Sequence, residues 1–261
     1  MSRKYTALAC AALLATMAAC GGSDSSTSAR PASPAAAPDA KKVDASTAAT
    51  ITGKVVLEGT PPPNPVITML ADPVCASLNK GNVTSEAFVV DNGRLANVFV
   101  YIKDGLGNKY VFDTPTEPVT LNQKGCHYVP HVAGVRVTQP FEITNSDDTL
   151  HNVHAMPDRN IEFNMGQQPI PGLKNTVAFT APEVMIPFKC DVHKWMNAYI
   201  GVVDHPYFAV SGRDGTFELK TIPPGTYTIE AWHEKLGRQT QTVTLGAKDA
   251  KEITFTFKVQ G

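Results

Sequence analysis

The chain has 261 residues, 43% of them hydrophobic and 18% charged, enough to bury the core of one large domain or two small ones. A formal net charge of −1 leaves no basic excess to neutralise phosphates, which argues against nucleic acid as a partner. Past residue 20 no apolar run approaches the ~20 residues that a membrane-spanning helix needs.

At the N-terminus, Arg3 and Lys4 precede the apolar stretch YTALACAALLATMAA, which is too short to span a bilayer and ends in small residues. That is the pattern of a secretory signal. Its end, MAAC, resembles the cleavage box of bacterial lipoproteins, with Met17 standing where Leu is usual. The resemblance implies a signal peptide over residues 1–19 and a lipidated Cys20 as the first mature residue. Gly21 after the Cys, where enterobacterial inner-membrane lipoproteins carry Asp, implies the outer membrane. The expected location is therefore the bacterial periplasm or cell envelope, with Cys20 as the membrane anchor. Residues 20–50 are small, polar and broken by proline, and they bury too little apolar surface to offset the entropy of ordering them. They read as a disordered tether.

The remainder patterns as β-structure. VVL at 55–57 and VFVYI at 98–102 are β-branched and aromatic, while VRVTQPFEI at 135–143, YTIEAW at 227–232 and ITFTFKV at 253–259 alternate. RDGT at 213–216 and PPG at 223–225 read as turns, the first as a hairpin. No stretch holds helical periodicity for three turns. The expected fold class is all-β.

Three cysteines lie beyond the anchor: Cys75, Cys126 and Cys190. An oxidising compartment predicts one pair and one thiol. Cys190 sits in FKCDVHKWMNAY, three residues before His193, which is three before Met196. That leaves Cys75 and Cys126 as the disulfide. An alternative places Cys126 with His127 and His131, in GCHYVPH, at a second metal site. Upstream, ITNSDDTLHNVHAM offers His151 directly after a strand. Two imidazole nitrogens and a thiolate, with a long axial thioether, make the blue-copper arrangement, whose mixed soft and borderline donors suit both oxidation states. Zinc would take Cys and His, but Met is a poor zinc ligand.

HNVH followed about forty residues later by C-x-x-H-x-x-M resembles the cupredoxins, with loop spacing similar to amicyanin. Carried over, the resemblance implies one copper ion held by His151, Cys190, His193 and Met196. It also implies that Asn152 ties the two ligand loops together, and that His193 reaches the surface as the electron exit with Trp195 beside it. His154 matches no ligand. Lys189, not His, precedes Cys190, and no H-x-H pair occurs, so the copper bridges of multicopper oxidases and nitrite reductases are missing and no catalysis is expected. GKVVLEGTPP at 53–62 and the D-G-x-F…P-P-G-x-Y-x-I pattern within 209–245 resemble a carboxypeptidase regulatory-like, prealbumin-type sandwich. The expected layout is a cupredoxin Greek-key sandwich at 117–204, inserted in or in tandem with a second immunoglobulin-like sandwich formed by 51–116 and 205–261. The expected task is single-electron transfer between periplasmic donor and acceptor proteins. A copper-holding or non-redox surface module is the other reading.

Overall fold

Along strand Ala49–Glu58, buried residues alternate with more accessible ones, so one face points into a core. In the computed structural model, which describes residues 37–259, this strand is the hub of a five-stranded sheet. It pairs with Thr216–Ile222, Arg94–Leu95 and, in parallel, Ala250–Lys258; Val90–Asp91 extends the edge. A second sheet runs in the order Phe208–Val210, Phe99–Asp104, Gly225–His233, Gly237–Leu245. Ile51, Val55, Ile102, Ile229, Phe255 and Phe257 fill the core that these two sheets share.

The other sandwich draws its strands from the middle of the chain. Its five-stranded sheet has the order Phe163–Gln167, His151–Ala155, Glu183–Lys189, Asn197–Val203, Val132–Arg136. Facing it are Lys174–Val177, Phe141–Asn145, Val119–Lys124 and His127–Val129. Leu121, Phe141, Ile143, Val153, Ile186, Phe188 and Ile200 lie in the core between them.

A third, smaller core joins the sandwiches. Phe99 and Tyr101 from one meet Val132, Met185 and Val203 from the other, with Phe208 and Trp232 packed alongside. Two glycines make the approach possible. Gly134 and Gly201 are register partners on adjacent parallel strands. A Cβ on Gly134 would sit 2.3 Å from the Phe208 ring, and one on Gly201 would sit 2.5 Å from the Phe99 ring. Bare backbone on both strands forms the hollow that receives the two rings.

Several elements differ from the sequence expectation. The run at 135–143 divides: Val132–Arg136 and Phe141–Asn145 belong to different sheets. Thr138 takes a positive φ of 63° and Pro140 has no N–H to donate, so the ladder cannot continue through them. RDGT and PPG do reverse the chain, but each links strands of opposite sheets, so the first is no hairpin. Turn residues specify a reversal; which strands then pair is a matter of where each buries its apolar face. Of the residues expected in the tether, 37–42 run beside 108–113, with Lys41 bridged to Tyr110, and the first strand already starts at Ala49. Residues 1–36, with Cys20, lie outside the described residues.

A six-residue helix, Pro73–Leu78, was not expected. Asp72 caps it, accepting the N–H groups of Val74 and Cys75, and Pro73 takes the first turn, where a missing N–H costs nothing. Met69 and Cys75, expected within the flanking sandwich, lie instead in the core of the other one. The reason is covalent: Cys75 and Cys126 form a disulfide, which holds this segment against the ligand loops.

Candidate metal centre

His151 opens strand His151–Ala155, and the period-two rule puts it on one face with Val153 and Ala155, all fully buried. Asn152 and His154 point to the opposite face. The preceding loop is braced by Asn145, whose Oδ1 accepts the Asp147 N–H at 3.0 Å while its Nδ2 donates to the Thr149 carbonyl. Cys190, His193 and Met196 lie on the connection between the antiparallel strands Glu183–Lys189 and Asn197–Val203. That loop closes on itself: Cys190 N–H donates to the Met196 carbonyl at 3.1 Å, and Met196 N–H to the His193 carbonyl at 2.9 Å.

The structure brings the three polar donors together. One ligand atom each from His151, Cys190 and His193 lies within 4.8 Å of the others. The two Nδ1 atoms are 2.8 Å apart, and His193 Nδ1 is 4.0 Å from Cys190 Sγ. Donors about 2.0–2.3 Å from a shared metal are roughly 3–4 Å from each other, so this spacing suits one ion. Met196 is 1% exposed and belongs to the same core cluster as Cys190.

Both imidazoles are oriented from behind. Asp147 Oδ2 takes His151 Nε2–H at 2.9 Å, and Asp72 Oδ2 takes His193 Nε2–H at 3.0 Å. An ionised carboxylate only accepts, so the ring proton belongs on Nε2 and each Nδ1 presents a lone pair. Two lone pairs facing at 2.8 Å call for a cation between them. Burial works against ionising Asp72, but bonds from Cys75 N–H, the Thr149 hydroxyl and His193 outweigh it and hold the carboxyl down at about 2. Asp147 is likewise held low against burial by His151 and the N–H groups of Cys126 and Gly125.

The surroundings of the sulfur favour its ionised form. Burial pushes the Cys190 thiol up, and the neighbouring His151 ring together with the N–H groups of Asn152, His193 and Val192 more than reverses that. Two of these backbone contacts are direct, Asn152 N–H at 3.5 Å and His193 N–H at 3.2 Å. The Asn152 side chain spans the two loops, its Oδ1 accepting the Asp191 and Val192 N–H groups.

Other predicted residues fall as follows. His154 bonds Asp191 and Glu162 and turns away from the donors. The alternative second site does not form: Cys126 is in the disulfide, His127 bonds the Gly125 carbonyl, and His131 spans the Asn197 carbonyl and Glu234. Among the described residues, every His/Cys/Asp/Glu group with metal-holding spacing contains His151 or His193. The expected exposed imidazole is corrected. His193 is 3% exposed, because Asp72 and Cys75, whose Sγ lies 3.8 Å from Nε2, cover its edge. Trp195 packs on the same ring at 4.9 Å between centroids, donates its indole N–H to the Cys126 carbonyl and keeps part of its surface in solvent. Asp72, Asp147 and Thr149 were missed. The cues were a D-P helix start and an Asp four residues before His151, which become informative only once the loops are seen to meet.

No protein-family model matches the chain, and no curated protein matches it. Solved structures align with part of it. A copper-containing nitrite reductase from Thermus scotoductus SA-01 is 22% identical over 37% of this chain, with a TM-score of 0.30, and the alignment spans 24% of that enzyme. A purple cupredoxin from Nitrosopumilus maritimus is 18% identical over 32% of this chain and 98% of its own, with a TM-score of 0.27. An oxidised single-substitution variant of amicyanin is 14% identical over 40% of this chain and 97% of its own, with a TM-score of 0.30.

Proposed function

We propose that this protein is a mononuclear type-1 copper protein that passes single electrons between redox proteins of the bacterial envelope. The convergence of His151 Nδ1, His193 Nδ1 and Cys190 Sγ carries this reading. Bound copper would supply a one-electron couple, and Met196 would offer it a thioether. The protein's own part is to hold these donors still. Carboxylates fix both rings, backbone N–H groups fix the sulfur, and Asn152 locks one loop to the other. Donors that cannot relax between oxidation states keep the reorganisation barrier low.

In this reading residues 117–204 are a cupredoxin unit inserted in a regulatory-like sandwich, and Cys20 carries the lipid anchor. The split of the outer core between residues 49–106 and 207–257 supports the insertion. With the His193 edge covered, the partly exposed Trp195 packed against its ring becomes the route to a partner's surface. That same cover favours a second reading, a copper-holding module with no redox traffic. Absorption and spin-resonance spectra of the copper-loaded chain separate the two. An intense thiolate-to-copper band, lost in Cys190→Ser and kept in Met196→Leu, is expected; a colourless copper-loaded protein supports holding.

A further inference from the structure

The covered imidazole points to an arrangement beyond the four donors. Behind each ring stands a carboxylate, and the two carboxylates are linked by one disulfide. Asp72 Oδ1 accepts the Cys75 N–H at 3.0 Å, and Asp147 Oδ2 accepts the Cys126 N–H at 2.7 Å. Cys75 and Cys126 are bonded to each other. Asp72 Oδ2 also accepts the Thr149 hydroxyl at 2.8 Å, and Asp147 Oδ1 the Gly125 N–H at 2.7 Å. Both groups are thus held by contacts that do not involve the rings they orient. Thr149 and Asp147 belong to the loop that leads into His151, so Asp72 reaches both ligand loops at once.

We infer that Asp72 and Asp147, clamped by the Cys75–Cys126 bridge, are positioning residues that hold His151 and His193 from behind and bias the site toward the divalent ion. This rests on the copper reading above. The physical ground is charge. A carboxylate that shares its ring's Nε2 proton makes Nδ1 a stronger donor and adds a negative charge near the metal. Both effects favour Cu(II) over Cu(I). Partners of this kind change metal affinity by about 10–100-fold when removed. A tenfold change in the ratio of the two affinities is about 59 mV for a one-electron couple.

The experiment uses the full chain loaded with copper, with Asp72→Asn and Asp147→Asn compared by voltammetry and visible absorption. Asn still caps a helix, so Asp72→Asn keeps the Pro73–Leu78 start. The expected result is a retained thiolate-to-copper band, with the potential raised by at least the tenfold equivalent in each variant. Unchanged potentials in variants that keep the band overturn the inference and leave the copper reading standing. A wild-type chain that takes up Cu(II) without that band overturns both. The copper-free protein gives a separate readout. Nitrogen-15 NMR is expected to show a slowly exchanging Nε2–H on His193 that disappears in Asp72→Ala; its persistence there also overturns the inference.

Discussion

At 2.8 Å, two ring nitrogens whose lone pairs face one another repel, and His151 and His193 tolerate that spacing only with a cation, proton or metal, between them. The rest of the site follows from fixing where ring protons can go. Two other histidines show the opposite treatment. Burial pushes His205 and His233 from 6.5 down to about 4, with Asp204 beside the first and Glu234 beside the second too weak to offset it. Each stays neutral in the fold at a pH where the unfolded chain binds a proton. Stability is therefore whole above the unfolded value, falls as pH drops from 6.5, and levels off below about 4. Each histidine can contribute roughly 3 kcal/mol to that fall. Denaturant unfolding at pH 7 and at pH about 4.5 is expected to show it, with His205→Gln and His233→Gln each flattening the dependence.

Between elements, the decisive contact is the seating of Phe99 and Phe208 on Gly134 and Gly201. Strand propensity alone disfavours glycine there, because it leaves a gap in the face and costs backbone entropy. The aromatic rings of the neighbouring sheet fill that gap. Gly201→Ala puts a methyl within 2.5–2.8 Å of the Phe99 ring and is expected to cost about 1–3 kcal/mol through forced repacking. A fall in the urea midpoint, with copper binding in Cys190 and its neighbours unchanged, would show that the junction between sandwiches is strained while the donor loops are not. Little loss of stability would mean that the two sheets can move apart freely. The segment that carries Asp72 works by a different principle. It has a six-residue helix and one covalent tie in place of a sheet to join. It takes its position from the surface it covers.

Among the described residues, four sheets stack as two sandwiches, with the donors inside the sandwich formed by the middle of the chain. A ligand that binds the folded state alone stabilises it by mass action. Copper at a hundredfold excess over its Kd is expected to add about 2.7 kcal/mol, read as a rise in thermal midpoint that a chelator reverses. No such rise would count against the donors forming a site in the native state. Much of this was legible in the chain itself. Period-two runs such as ITFTFKV define strands locally, and Cys190, His193 and Met196 lie on one short loop whose residue types already limit the metal. The reversals at RDGT and PPG were also local, though which strands they join was not. Sequence spacing says nothing of what covers a ring from 121 residues away, as Asp72 covers His193. Nor does it say that two glycines will lie side by side to receive aromatic rings. Such facts depend on contacts between distant segments, which exist only once each apolar face has found its partner, and so the tertiary structure alone decided them.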